Sequence, residues 1–413
     1  MTQIAPQDWL QEPATRALLA ALAGAGIAVR FVGGCVRDAL LGRPPDEIAD
    51  IDLATPARPE EVAAALAAAG IKTVPTGIAH GTLTAVVPPR HYEITTLRRD
   101  VETDGRRARV AFDADWAEDA ARRDFTINAI YLDPDGTLHD PVGGIADLEA
   151  RRVRFVGEPA RRISEDVLRI LRYYRFEARF GVGSGKKRGD PAARAACRAA
   201  AALLRRLSAE RVAQELLRLL AVADPVPVLR MMGEDGVLAA VLPEATRIER
   251  LQRLIRFEPV PPDPLRRLAA LVAVDADGAA ALVERLRLSN AQHDRLVGMA
   301  PPWPLDPGAD DRAQRLARYR LGEERYRDLV LLVAAEDEGV SGERVDELLL
   351  FGERWKPPRF PLAGRDVTAL GIPAGPRVGA RLAAVRAWWE EGDFAADRAA
   401  CLQRLRELAK RLD

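Results

Sequence analysis

Strand-like patterning stops near residue 155 of this 413-residue chain and does not return. Before that point, short apolar runs alternate with turn signals. VRFVGG (29–34) is an apolar run ended by glycines, and IADIDLAT (48–55) alternates apolar with acidic residues, as a half-buried strand does. PEEVAAALAAAG (59–70) predicts a helix, with Pro59 near its start and Gly70 after its end. GTLTAVV (81–87) and HYEITTLR (91–98) predict two strands about a Pro88-Pro89 turn, and EDAARRDFTINAIYLD (118–133) a helix leading into a strand. From about 156 the period turns helical, as in SAERVAQELLRLLA (208–221), DPLRRLAALVAV (263–274) and RLAAVRAWW (381–389). A chain patterned this way cannot close a single sheet; it builds a small α/β head and a long helical remainder.

Composition narrows the class. Apolar residues make up 48% and charged residues 30%, enough to build cores and too ordered for a disordered or fibrous chain. No run of about 18 uncharged apolar residues occurs, so no membrane partner is expected. The start, MTQIAPQDWLQEP, lacks a basic segment followed by an apolar one, and a cytoplasmic location is the expectation. Cys35, Cys197 and Cys401 have no ligand-like spacing. Net charge is +0, yet Arg151 to Arg218 holds 18 Arg/Lys against 7 Asp/Glu. That local excess is either a solvated helical surface or the footprint of a polyanion.

The chemistry concentrates in four places. Asp50 and Asp52 flank Ile51 on a predicted strand, so both carboxylates project on one face. Alone this is often a strand edge; beside a phosphate-binding loop it suits a divalent cation with nucleotide phosphates. Such a loop stands upstream, where Gly33-Gly34-Cys35-Val36-Arg37-Asp38 follows a strand and opens a helix. Glycines there admit a phosphate to the backbone, and Arg37 can fork onto it. Glu93, on a later strand, is either a third carboxylate for the cation or a partly exposed strand residue. Arg122-Arg123-Asp124, before Asn128, suits ribose and phosphate contacts or a basic helix cap.

The fourth place is SEDVLRILRYYRF (164–176), predicted as one helix capped by Ser164. Asp166, Arg169, Arg172 and Arg175 recur every three residues along a drifting polar stripe. Three arginines on one face repel one another, which favours an anion opposite them. Cytosine and adenine both present an amino donor beside a ring-nitrogen acceptor, whereas uracil and guanine present a carbonyl and a ring N–H. A carboxylate only accepts and a guanidinium only donates, so Asp166 with Arg169 matches C or A and mismatches U or G.

GGCVRD, DID, RRDFTINA and EDVLRILRYYRF, in this order and spacing, resemble the class II CCA-adding tRNA nucleotidyltransferases, whose head the bacterial poly(A) polymerases share. The likeness is specific to about residue 220, through SAERVAQELLRLL, and weaker beyond. It implies an α+β chain: a polymerase-β-like nucleotidyltransferase head (mixed sheet with helices) over 1–155, a helical neck that recognises the base over 156–240, and a helical body and tail holding tRNA over 241–413. It implies Mg²⁺ in a two-metal site on Asp50 and Asp52, with Glu93 among the catalytic acids. It places Gly33, Gly34, Arg37, Arg123, Asp124, Asn128, Asp166, Arg169, Arg172 and Arg175 at the nucleotide. The substrates implied are ATP, CTP and the tRNA 3′ acceptor end. Pro75–Thr82 looks like the CCA-adding type and lacks the basic run of poly(A) polymerases. Residues 100–120 resemble a flexible loop of the length that favours the full CCA reaction over CC alone. The basic stretch 181–196 is expected as an extended loop, His293-Asp294 as a surface pair, and 361–379 as turns between helices with no assigned chemistry. The rival readings are a poly(A) polymerase, an A-adding enzyme, or a non-catalytic RNA-binding protein on the same head.

Overall fold

The structure, a computed structural model, describes residues 3–5, 7–45, 48, 50–77, 81–104, 107–112, 114–181 and 189–410. It divides into two units, Met1–Pro243 and Glu244–Asp413. The expected head and neck share the first unit, and nearly all of the expected body and tail makes the second.

The first unit opens with α1 (Asp8–Gln11), α2 (Pro13–Gly24), β1 (Arg30–Val32), α3 (Gly34–Leu40), β2 (Ile51–Thr55) and α4 (Pro59–Ala68). Then come β3 (Lys72–Gly77), β4 (Thr82–Val87) and β5 (Arg90–Thr96). Helix α4 starts where the sequence sets it: Pro59 needs no donor there, and the Glu61 carboxylate accepts the Arg58 N–H at 2.7 Å. After β6 (Arg99–Asp104), β7 (Arg107–Ala111) and α5 (Trp116–Ala121) come the strands β8 (Tyr131–Leu132) and β9 (Leu138–His139) and helix α6 (Gly144–Glu149). Seven strands form one mixed sheet in the order β3-β4-β5-β2-β1-β8-β9, and β6 and β7 pair separately. In the large sheet only β2 and β5 run parallel, with Asp52 opposite Glu93. On its other edge β2 is antiparallel to β1, with Asp52 opposite Val32. The central position of β2 buries Ile51, Leu53 and Ala54, which fixes its register and so the height of Asp52.

Helices α7 (Pro159–Glu165), α8 (Arg169–Arg179), α9 (Pro191–Ala200), α10 (Ala209–Leu220), α11 (Val226–Glu234) and α12 (Val237–Val241) complete the unit. An aromatic cluster joins them to the sheet. Phe125 lies 4.9 Å from Phe155 and 5.1 Å from Phe176, and Phe155 stacks on Tyr173 at 5.6 Å, between ring centroids.

The structure corrects three sequence expectations. The helix predicted from Ser164 to Phe176 is broken. Ser164 lies inside α7, where its hydroxyl donates to the Arg161 carbonyl, so it caps nothing. Asp166 is extended (φ −151°), and its carboxylate accepts the Leu168 N–H at 3.1 Å. That local bond competes with the helix ladder and restarts the helix at Arg169. Residues 100–120, expected as a loop, carry the β6–β7 hairpin and α5. Within 181–196, residues 191–196 are helical, because Pro191 and the Asp190 cap on the Ala193 N–H start α9. Residues 182–188 of that stretch lie outside the described residues, as do Ile78, Ala79 and His80 of the Pro75–Thr82 motif.

The second unit is all-helical among its described residues. Buried ion pairs stitch part of it together: Arg266 bonds Asp328 and Glu258, Arg267 bonds Glu258, and Arg295 bonds Asp328 and Asp263. Leu362, Val367, Val385, Trp389, Cys401 and Leu405 form a second core around the 361–379 segment. His293, half-buried, and Asp294, exposed, sit side by side on the helix Asn290–Gly298. No described helix is long and apolar enough to cross a membrane.

Candidate active site

Asp52 stands between Val32 and Glu93 at the sheet centre, and Asp50 immediately precedes the same strand. Because Gly33 follows Val32, the β1–α3 turn runs beside the Asp52 carboxylate: a Cβ at Gly33 would lie 3.5 Å from its Oδ2. Gly33 holds φ +80°, a region that favours glycine, so the turn keeps the backbone bare at this point. Burial, followed by the nearby Glu93 charge, pushes the Asp52 acid up to about 6; Arg123 pulls it back and Asp50 adds to the rise. Glu93 stands opposite Asp52 across the parallel pairing, at an exposed strand position.

This surplus of negative charge fits a hard divalent cation. Asp50 and Asp52 could supply carboxylate oxygens to it, and a positive charge there would offset the burial and like charge that raise the Asp52 acid. Among the described residues no three His, Cys, Asp or Glu side chains enclose a metal unaided. Mg²⁺ suits such an open set, because it keeps waters and takes phosphate oxygens alongside one or two carboxylates.

The arginines of the motifs are held by acids, some of them near neighbours in the chain and others distant. Arg37 is buried, and its guanidinium donates to Asp38 at 2.9 Å and to Asn128 Oδ1 at 2.5 Å and packs 4.2 Å from the Phe180 ring. Asn128 in turn donates to Asp124 at 3.2 Å, and Asp124 accepts Arg172 at 2.8 Å. Although burial works against ionisation of Asp124, Arg172 holds its carboxyl below the usual range. Arg175 bonds Glu215 at 2.5 Å, and Arg172 reaches the same carboxylate at 3.7 Å. One network thus runs from α3 through Asn128 and Asp124 to α8 and α10. Arg123 is held at 2.9 Å by Asp119, which also receives Arg122 and the Tyr131 hydroxyl.

The repulsion expected along the α8 stripe is therefore relieved inside the protein: Glu165 pairs with Arg169, Asp124 with Arg172 and Glu215 with Arg175. Asp166 is not on that helix but at the break before it, where Arg211 of α10 bonds its Oδ2 at 2.7 Å. Sequence reading missed Asp38, Asp119, Arg211 and Glu215 as partners. For two of them a signal existed: Arg211 and Glu215 are four apart in SAERVAQE and share a helix face.

Asp50 also opens on a cleft of about 810 Å³ within this unit, lined by Arg43, Arg175, Arg179, Arg218 and Asp224. Cations around a carboxylate pair make a surface for a phosphate-bearing chain.

Comparison with known proteins agrees with this geometry. Residues 29–154 match the poly A polymerase head domain, and residues 190–248 match the probable RNA and SrmB-binding site of polymerase A. The chain is 34% identical to the mitochondrial CCA tRNA nucleotidyltransferase 1 of Danio rerio, over 89% of this chain and 84% of that protein. It is 35% identical to the human mitochondrial enzyme of the same name, over 89% and 83%. The crystal structure of the Bacillus stearothermophilus CCA-adding enzyme in complex with CTP superposes with a TM-score of 0.79, at 30% identity and 98% coverage of both chains. The cytoplasmic expectation is overturned by these mitochondrial relatives: an N-terminus without a secretory segment does not distinguish cytoplasm from mitochondrion. From the sheet that carries Asp52 to the helix that carries Arg169, this chain belongs to the class II CCA-adding tRNA nucleotidyltransferase family.

Proposed function

We propose that this protein adds C, C and A to the 3′ end of tRNA from CTP and ATP, without a nucleic-acid template, releasing pyrophosphate. The observation that carries this reading is the pairing of an intact Asp50/Asp52 site with relatives that cover most of the chain and are all CCA-adding enzymes. A binding module has no use for two repelling acids beside a bare glycine turn.

The residues divide the work. Asp50 and Asp52 would hold the cation, and Mg²⁺ bound there would supply a lowered pKa for the attacking 3′-hydroxyl and neutralisation of the charge on the leaving pyrophosphate. Gly33 and Gly34 let the triphosphate approach the backbone. Arg123, whose Nε and Nη2 are held by Asp119, offers its remaining Nη1 to the nucleotide, and Asp124 and Asn128 are kept in place by Arg172 and Arg37. Asp166 accepts from the exocyclic amine of C or A, and Arg169 donates to the ring nitrogen beside it. Arg175 closes the far side of the network through Glu215. The cleft beside Asp50 receives the acceptor strand.

The test is nucleotide addition to a tRNA that ends before CCA, with products sized at single-nucleotide resolution. CTP alone gives two additions, and CTP with ATP gives a third and a stop. Long A tails on diverse RNAs would make the protein a poly(A) polymerase, and RNA binding without incorporation would remove the catalytic reading. Asp166→Ala removes the carboxylate proposed to accept from the base amine, and a mismatched buried polar group costs roughly 1–3 kcal/mol. The preference for CTP over UTP therefore falls by about 10–100-fold. Full rejection of UTP and GTP by this variant would end the base-reading assignment.

A further inference from the structure

We infer that Arg162, which no sequence motif assigns, is the positioning residue that registers the base-reading Arg169 against the sugar and phosphate contacts of Arg123 and Asp124. The inference rests on the reading of Arg169 given above. Arg162 sits in the last turn of α7 with only 7% of its side chain exposed. One guanidinium nitrogen donates to the Ala121 carbonyl at 3.0 Å, and another donates to Glu165 Oε1 at 2.5 Å. The second oxygen of Glu165 accepts Arg169 Nη1 at 2.7 Å. Arg169 Nη1 also donates to the Arg162 carbonyl at 3.0 Å, and its Nη2 to the Arg122 carbonyl at 3.3 Å.

These bonds close a ring. Ala121 ends α5 and Arg122 follows it, so both carbonyls stand where a helix leaves acceptors without intrahelical donors. Two arginines from the α7–α8 region satisfy them. The next two residues of the chain are Arg123 and Asp124. Glu165 is shared by both guanidinium groups; exposed Arg161 comes within 3.5 Å of the same oxygen as Arg162, so Arg162 is the buried partner that fixes the half of the carboxylate facing away from Arg169. A planar fork meets two acceptors in fixed directions, and a lysine ammonium does not. Nothing in the ring requires Arg162 to touch nucleotide; it acts through Glu165 and Arg169.

The test compares kcat/KM for CTP and UTP in single additions by the full chain, for wild type, Arg162→Lys, Arg169→Ala and the double variant. The expected result is a CTP-to-UTP ratio at least tenfold lower in Arg162→Lys, and no lower in the double variant than in Arg169→Ala alone. A ratio at the wild-type level in Arg162→Lys overturns the inference even if both rates fall together. So does a double variant whose ratio drops below that of Arg169→Ala. If Arg169→Ala itself keeps the wild-type ratio, the base-reading assignment fails, and the two failures are thereby told apart. Should Arg162→Lys not fold, Glu165→Gln, which removes the shared charge and one acceptor, is held to the same expected ratios.

Discussion

Asp52→Asn is expected to abolish nucleotide addition and, at pH 8 without divalent cations, to melt about 4–8 °C higher than wild type. Loss of activity follows from removing one of the two carboxylates proposed to hold the cation. The gain in stability follows from the same charge. Burial and the facing Glu93 raise the Asp52 acid to about 6 in the folded protein, against 3.8 when unperturbed. The sign is that of a raised acid. Below about pH 4 both folded and unfolded chains carry the proton, and Asp52 imposes no penalty. As pH rises through 6 the folded chain must ionise a group that its surroundings keep neutral, and stability on the order of 2 kcal/mol is lost. Asparagine has the same shape and no charge, so its advantage is present at pH 8 and vanishes near pH 4. Added Mg²⁺ raises the melting temperature of wild type and leaves the variant unmoved. Thermal melts at the two pH values, with and without Mg²⁺, check this. An Asp52→Asn variant less stable than wild type at pH 8 would show that the carboxylate is structural rather than held in readiness for a cation.

The parts legible in the sequence are those set by neighbours along the chain. Gly33-Gly34 closing a strand, the alternation through Asp50-Ile51-Asp52 and the loss of strand period near 155 all follow from backbone geometry within a few residues. That Glu93 lies on a strand was legible too, whereas its register opposite Asp52 joins strands distant in the chain. The partners of the arginines were not. Arg37 meets Asn128 across 91 residues and Arg172 meets Asp124 across 48, and no periodicity encodes such a meeting. The Asp166 break was hidden for a different reason: its flanks read as helix on both sides, and only the turn made by its own carboxylate interrupts them. The β6–β7 hairpin carried a signal that went unused, the Asp104-Gly105 dipeptide between two runs of similar length.

Glu215→Ala is expected to destabilise the Met1–Pro243 unit by about 3–5 kcal/mol, the cost typical of removing one partner of a buried ion pair. Glu215 faces the site from α10 with 3% of its side chain exposed, bonded to Arg175 and within 3.7 Å of Arg172. Arg175 is itself 8% exposed, and burial lowers its pKa; without Glu215 its charge has, among the described residues, no compensating acid at hydrogen-bond distance. Glu215→Gln keeps an acceptor for Arg175 and is expected to cost about 1–2 kcal/mol, so the order is wild type, Gln, Ala. Urea unfolding of the three proteins gives the ranking. Joint replacement of Glu215 and Arg175 by methionine separates fold from function, because apolar side chains of similar volume remove the stranded charge. The double variant is expected to recover most of the stability lost in Glu215→Ala, yet to add nucleotides more slowly than wild type, since Arg172 no longer has Glu215 behind it as it holds Asp124. A Glu215→Ala protein within 1 kcal/mol of wild type would mean that water reaches Arg175, and that the ion pair orders the site without supporting the fold.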